Sequence, residues 1–315
     1  MRIVHGTDDV PVSARGAALA IGNFDGVHRG HRALIEATLE EARRLGTKAG
    51  AVVFEPHPRE YFQPDKPHFR LTPLPLKLQL LEQFGLDVAV VLAFDASLAG
   101  LTADAFIARV LVDALAARQV VVGYDFRFGK GRGGDPESLR RTGDALGFGV
   151  TVIGQVAQAG EVFSSSAIRA ELAQGDVEGA AQMLGWWWRV TGEVRGGAKR
   201  GTGLGYPTAN IALAHGTALA HGIYAVRVRA DGRSYAGAAY LGTRPTFDDG
   251  APVLEVFLFD FDGDLYGREI EVEFIDFIRP DRRFEGAAAL QAQMDSDCAR
   301  AREILAWAPA QPLLG

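Results

Sequence analysis

A single cysteine, Cys298, cannot close an internal disulfide, so nothing in these 315 residues calls for an oxidising compartment. The expected location is the cytoplasm. Long apolar runs are missing as well: the longest, Val88 to Phe94, falls far short of the ~20 residues that cross a bilayer. The opening MRIVHGTDDV has no signal-peptide apolar core. No membrane segment and no membrane partner are therefore expected. Positive charge is in deficit, with 33 Lys and Arg against 39 Asp and Glu and a net charge of -6. That balance argues against a protein that wraps phosphate backbones, so nucleic acid is not an expected partner. Internal repeats and low-complexity tracts are also absent.

What is present suffices for two domains, since 315 residues exceed what one core usually supports. From residue 16 to about 156, short apolar strands (Ala17 to Ile21, AVVF at 51, VAVVLAF at 88, VVVGY at 120, VTVIGQV at 150) alternate with helical patterns near 31 to 45, 102 to 118 and 135 to 146. The alternation predicts an α/β doubly wound parallel sheet. LTPLPLK at 71 and the glycine-rich FGKGRGGDP at 128 read as loops inside it. After Gly185 the pattern becomes strand after strand: WWWRVTGEV, GIYAVRVRA, RSYAGAAYLG, VLEVFLFDF and REIEVEFIDFI, separated by turn signals. This predicts a small antiparallel β-barrel or sandwich. A C-terminal helix closes it, with Leu290, Met294, Cys298, Ala301 and Leu305 on one face. The expected domains are 1–185 and 186–315.

The stretch IGNFDGVHRGH, residues 21 to 31, joins the first predicted strand to the first helix. A helix amino terminus offers unpaired N–H groups and partial positive charge, and glycines let a phosphate approach the backbone. His28 and His31, three residues apart on that first turn, point the same way and can donate to phosphate oxygens. The alternatives are that the two rings cap or pack the turn, or bind a metal, for which only Asp25 stands nearby as a third ligand. Ser164 to Ser166 precede a helical run as an ordinary cap would. Asp125, Phe128 and Arg132 follow a strand end, where a doubly wound sheet binds its ligand, although Lys130 and Arg132 equally suit a solvated loop. Phe54, His57 and Arg70 carry the same two readings.

In the second half, Thr208 and Asn210 alternate along an extended chain and face one side, offering two hard oxygens to Mg²⁺; PTAN also fits a plain turn leading into a strand. Glu255 is the one charge in VLEVFLF, with Val253 and Phe257 on its strand face. A carboxylate so walled in has its pKa raised towards neutrality, which suits a general base. The other reading pairs it with Arg244 or Arg279.

HxGH is a signature of nucleotidyltransferases, and GNFDGVHRGH resembles one family, the bifunctional riboflavin kinase and FMN adenylyltransferase of prokaryotic type. The likeness continues through VVFEPHPREYF at 52, FRLTP at 69, VGYDFRFGKGR at 122 and FSSSAIR at 163, then through GTGLGYPTAN at 201, RPTF at 244 and LYG at 265. It implies a nucleotidyltransferase domain of HxGH type, which adenylylates FMN with ATP, followed by a riboflavin kinase β-barrel. By this resemblance His28, His31 and Arg169 are catalytic in adenylyl transfer. Gly22, Asn23, Phe24, Asp25, Gly26, Phe54, His57, Arg70, Asp125, Phe128, Arg132 and Ser164 to Ser166 would hold ATP and flavin nucleotide. Arg169 closes the family's SSTxxR motif, in which Ser166 stands for the threonine. In the barrel Gly201, Gly205, Pro207, Thr208 and Asn210 would bind nucleotide, Thr208 and Asn210 also Mg²⁺, and Glu255 would deprotonate riboflavin. ATP, riboflavin and FMN are the implied small-molecule partners, with FAD the product. Two positions depart from the pattern: Thr202 replaces a usual arginine, beside Lys199 and Arg200, and Trp186 to Trp188 replace more polar residues, for which core or interdomain packing is expected. The alternatives are a chain that keeps only one activity and a non-catalytic flavin or nucleotide binder.

Overall fold

The computed structural model describes residues 1–158, 161–196, 206–214, 216–243 and 252–311. Its contacts divide the chain into two compact units, Met1–Ser165 and Ser166–Gly315.

The first unit is built on six parallel strands: β1 (Arg2–His5), β2 (Ala18–Ile21), β3 (Ala49–Glu55), β4 (Val88–Ala93), β5 (Gln119–Gly123) and β6 (Gly149–Ile153). They lie in the order β1-β4-β3-β2-β5-β6. β2 to β4 are apolar runs, save Glu55 at the end of β3, because helices cover both faces of a parallel sheet. The chain winds outward from β2 through β3 to β4 and then returns to the other side of β2 with β5. That reversal puts a crevice at the carboxyl ends of β2 and β5, where open α/β sheets bind ligands. The segments leaving those two ends are GNFDGVHRGH and YDFRFGKGR.

Helix α1 (Arg29–Leu45) follows β2, capped by His28 and ended by left-handed Gly46. LTPLPLK is a loop only over its first three residues, 71 to 73; the remainder is helical. It opens α3 (Leu74–Gln83), which follows a short α2 (Pro58–Phe62). The prolines that suggested a loop sit at the helix start, where a missing N–H costs nothing. The helix over Ala103–Phe106 continues in π geometry over Ile107–Ala114, and another spans Pro136–Leu146. FGKGRGGDP forms a short 3₁₀ turn over Lys130–Arg132. β1 was not expected from the sequence.

In the second unit six antiparallel strands close into a barrel in the order β10-β13-β12-β11-β14-β9. These are β9 (Arg189–Arg195), β10 (Ala209–Ala212), β11 (Gly222–Ala230), β12 (Arg233–Thr243), β13 (Pro252–Leu258) and β14 (Glu269–Pro280); β7 (Ala157–Gln158) and β8 (Glu161–Val162) form a separate hairpin within the first unit. Ile211, Tyr224, Val226, Leu241, Leu254, Val256, Val272 and Phe274 fill the interior. The helix over Ala287–Trp307 lies on the outside. Its Cys298, Ala301, Ile304 and Leu305 cover Ala225, Ala236, Ala238, Phe257 and Phe259. Two further helices, Ser165–Gln174 and Val177–Leu184, precede the barrel and, from Ser166 on, belong to this unit. All three consecutive tryptophans are buried: Trp188 packs on Phe274, and Trp187 donates Nε1–H to the Pro309 carbonyl at 3.2 Å. They are packing residues of the barrel and of the chain after its last helix.

Candidate active sites

The turn between β2 and α1 is tightly wound. Phe24, Gly26 and Val27 all have positive φ, at 49°, 89° and 39°. Only glycine adopts this region without strain, so surrounding contacts must hold the other two. Phe24 and Val27 are fully buried, which supplies part of that hold. Thr72 supplies another part: its N–H donates to Asp25 Oδ1 at 3.1 Å, and its Oγ1 accepts from Gly26 N–H at 2.9 Å.

His28 is the N-cap of α1. Its Nδ1 accepts from His31 N–H at 3.4 Å, and His31 Nδ1 accepts from His28 N–H at 3.3 Å. This reciprocal cap occupies both Nδ1 atoms as acceptors, so the proton of each neutral ring sits on Nε2. Both rings therefore offer an Nε2–H. They stack with centroids 3.7 Å apart, and Phe24 flanks His31 at 5.1 Å. Gly30 makes room for this pair: a Cβ there would lie 3.0 Å from the His28 ring. Of the two roles left open by the sequence, the pair fills the capping one, and capping leaves each Nε2–H uncommitted to the cap.

Burial pushes the His28 pKa down to about 4. Burial, then His28, then the cation of Lys77 hold His31 well below the ordinary histidine range. Both rings are neutral at pH 7. A folded value for His28 below its usual 6.5 means that its contribution to stability is complete above about 6.5 and is lost as pH falls towards 4. Calorimetric melting of the wild-type chain should weaken across that window, and less so in His28→Asn. Identical pH profiles for the two would contradict it.

Around this turn the structure gathers several of the expected residues. Ser165 Oγ donates to the Asp25 carbonyl at 2.8 Å, and the Arg29 guanidinium lies over Phe163 at 4.7 Å, so the serine motif is tied to the histidine turn. Gly22 lies against Phe24, and Asn23 is exposed. Ser164 is half-buried. Ser166 and Arg169, on the helix over Ser165–Gln174, fall in the second unit, with Ser166 exposed and Arg169 half-buried.

Elsewhere the expected residues take other partners. Arg70 is held by Glu60 and, at 2.6 Å, by Glu55, so its charge is already matched by carboxylates. His57 caps α2, accepting from Arg59 N–H at 3.1 Å, and its ring meets His68. Phe54 packs on Phe94 in the core. Phe128 is buried between Phe106 and Phe126, while Asp125 and Arg132 are exposed on the loop after β5.

In the barrel, neighbouring strands bring three side chains into one row. Asn210 of β10 lies opposite Glu255 of β13, and Glu255 opposite Tyr240 of β12. In-register residues share a sheet face. Because Leu254, Val256 and Leu258 point inward, this row is on the outer face. The expectation that apolar side chains wall Glu255 in is thereby corrected: Val253 and Phe257 do share its face, but Glu255 is half-buried there beside two polar neighbours. Nor is Arg279 its ion-pair partner, since that guanidinium grips Asp297 at 2.7 to 3.1 Å. Thr208 continues the Asn210 side of β10, its carbonyl accepting from Asn210 Nδ2 at 3.4 Å. Tyr206 packs edge-on against Phe257, and its hydroxyl donates to Asp295, which raises the phenol pKa to about 12. Pro207 is exposed. Gly201, Thr202, Gly205, Lys199, Arg200 and the RPTF stretch at 244 lie outside the described residues.

The donor set on this face suits a hard cation, since Thr208, Asn210 and Glu255 all offer oxygen. Among the described residues no group of three His, Cys, Asp or Glu could hold a metal. A cation held by these three would rest on two neutral oxygens, one carboxylate and its substrate's phosphates. Sequence reading missed Thr72 and Lys77. Lys77 carried a signal, as the one charge in LTPLPLKLQLL.

Comparison with known proteins places names on both units. Residues 10–167 match the FAD synthetase family and residues 184–305 the riboflavin kinase family. Among solved structures, a protein of Streptococcus pneumoniae named as a macrolide-efflux protein superposes with a TM-score of 0.82 at 26% identity, covering 96% of this chain and 99% of its own. That likeness concerns the fold; no helix among the described residues is long and apolar enough to cross a membrane. The two family matches, one on each half of the chain, define a transferase with nucleotidyltransferase and kinase domains. Its relatives narrow the class: bifunctional riboflavin kinase/FMN adenylyltransferases of Pseudomonas fluorescens and Escherichia coli K12 are each 40% identical, over 307 and 305 residues. The alignments cover 97% and 96% of this chain and 98% and 97% of the relatives. The chain belongs to the bifunctional riboflavin kinase/FMN adenylyltransferase family.

Proposed function

We propose that this chain makes FAD from riboflavin in two ATP-dependent steps, the first in residues 186–315 and the second in residues 1–185. What supports the reading is that one chain holds a stacked His28–His31 pair at the sheet's switch point and, on a separate barrel, Asn210 opposite Glu255.

In the first step a ribityl hydroxyl of riboflavin attacks the γ-phosphorus of ATP. The new O–P bond forms as the bridge to the β-phosphate breaks, giving FMN and ADP. Glu255 takes the hydroxyl proton. Thr208 and Asn210 would hold Mg²⁺, which when bound neutralises charge on the nucleotide phosphates. Tyr206, tied to Asp295, stands beside the same strand pair.

In the second step an FMN phosphate oxygen attacks the α-phosphorus of ATP and pyrophosphate leaves. The attacking oxygen is already ionised, so no base is needed and the protein's work is to position and neutralise anions. His28 and His31 donate Nε2–H to phosphate oxygens as charge gathers on the leaving group, beside the positive amino-terminal end of α1. Because both rings are neutral at pH 7, they act as hydrogen-bond donors rather than as cations. Arg169 and Ser164 to Ser166 complete the nucleotide site by family likeness, and Asp125 and Arg132 stand on the loop that leaves the same crevice.

Chromatography of riboflavin, FMN and FAD tests this directly. The purified chain is incubated with ATP and Mg²⁺ and either riboflavin or FMN. FAD is expected from both. FMN without FAD would remove the first unit's assignment, FAD from supplied FMN alone would remove the barrel's, and no product would leave a binding protein.

A further inference from the structure

Asp25 sits at the apex of the histidine turn, 3% exposed, and its carboxylate needs partners it cannot find in water. Two residues that face it, Thr72 and Lys77, come from one distant stretch of chain. Thr72, 1% exposed, uses every polar atom it has on this turn except its carbonyl. Its N–H donates to Asp25 Oδ1 at 3.1 Å; its hydroxyl oxygen accepts from Gly26 N–H at 2.9 Å and lies 3.3 Å from the Phe24 carbonyl. Five residues on, Lys77 projects from α3, 3% exposed, with its charge within reach of Asp25, Glu55 and His31. Burial lowers its pKa, and the carboxylates oppose that shift.

The three residues that Thr72 binds, Phe24, Asp25 and Gly26, include two of the three positive-φ positions of the turn. A hydroxyl that bonds both to a backbone donor and to the carbonyl two residues earlier fixes the peptide planes between them. Those planes determine where His28 starts α1, and hence where both Nε2–H groups point. We propose that Thr72 is a positioning residue for adenylyl transfer, holding the Phe24–Gly26 backbone so that the His28 and His31 donors meet the departing pyrophosphate. The proposal rests on the adenylyl-transfer reading of the first unit. Lys77 supports the same arrangement by supplying charge to the Asp25 carboxylate that receives the Thr72 N–H.

The test uses the full chain and its two activities. Thr72→Val keeps the shape of the side chain and removes the hydroxyl; Thr72→Ser keeps the hydroxyl. For FAD formation from FMN and ATP, Thr72→Val is expected to lower kcat about 100-fold, the usual effect of a small misplacement of catalytic groups, with little change in KM for FMN. Thr72→Ser should restore kcat to near the wild-type value, and riboflavin phosphorylation should be unchanged in both. An undiminished kcat in Thr72→Val overturns the proposal. So does parallel loss of both activities, or failure of Thr72→Ser to restore kcat. A wild-type chain that makes no FAD from FMN would fell the adenylyl-transfer reading and this proposal with it.

Discussion

Glu255→Gln is expected to lower FMN formation by ~10² to 10⁴, the usual cost of losing a general base, while FAD formation from supplied FMN continues at the wild-type rate. The substitution is close to isosteric and removes only the charge and its basicity. It disturbs no core packing, because the inward side chains on this strand are Leu254, Val256 and Leu258. Its neighbours across the ladder, Asn210 and Tyr240, are polar and tolerate an amide. Initial rates of riboflavin phosphorylation and of FMN adenylylation, read from one preparation, separate a catalytic loss from a folding loss. An unchanged phosphorylation rate would show that another group takes the hydroxyl proton.

The same residue shows how far sequence alone could go. A lone glutamate in VLEVFLF marked a candidate, because a charge in an apolar strand needs a reason. Period-2 alternation assigned Val253 and Phe257 to its face correctly, yet it could not say whether that face was the inside of the barrel or the outside. Only closure of the sheet decides this, and closure depends on pairs such as Asn210 with Glu255, far apart in the chain. Lys77 gave the same signal in LTPLPLKLQLL and was passed over because its prolines read as loop. β1 was invisible for a related reason: four residues, three of them exposed or polar-flanked, pair only at the sheet edge with β4. The histidine turn was legible because its chemistry is local, with strand, glycines, cap and helix all within eleven residues. Thr72, which holds that turn from 46 residues away, was not.

His31→Ala should remove most FAD formation, on the order of 10² to 10³ in kcat as for the loss of one preorganised donor, and leave FMN formation intact. The alanine deletes two things at once. One is the Nε2–H aimed at phosphate. The other is the Nδ1 that accepts from His28 N–H at 3.3 Å and closes the capping box, a cap of the kind worth about 1 kcal/mol. His31→Gln separates them, since a glutamine at the third helical position can still accept from the N-cap N–H, and its amide cannot reproduce the imidazole donor's position beside His28. If capping were the main role, His31→Gln would recover both thermal stability and FAD formation. If donation is the role, His31→Gln recovers stability while FAD formation stays low. The ring's neutrality sharpens the expectation, because burial, His28 and Lys77 all disfavour the imidazolium. A rate that required imidazolium would climb steeply as pH falls below 7. Adenylyl transfer by neutral Nε2–H donors should show no such rise, and finding one in the wild-type chain but not in His31→Ala would reverse the assignment of His31 from neutral donor to cation.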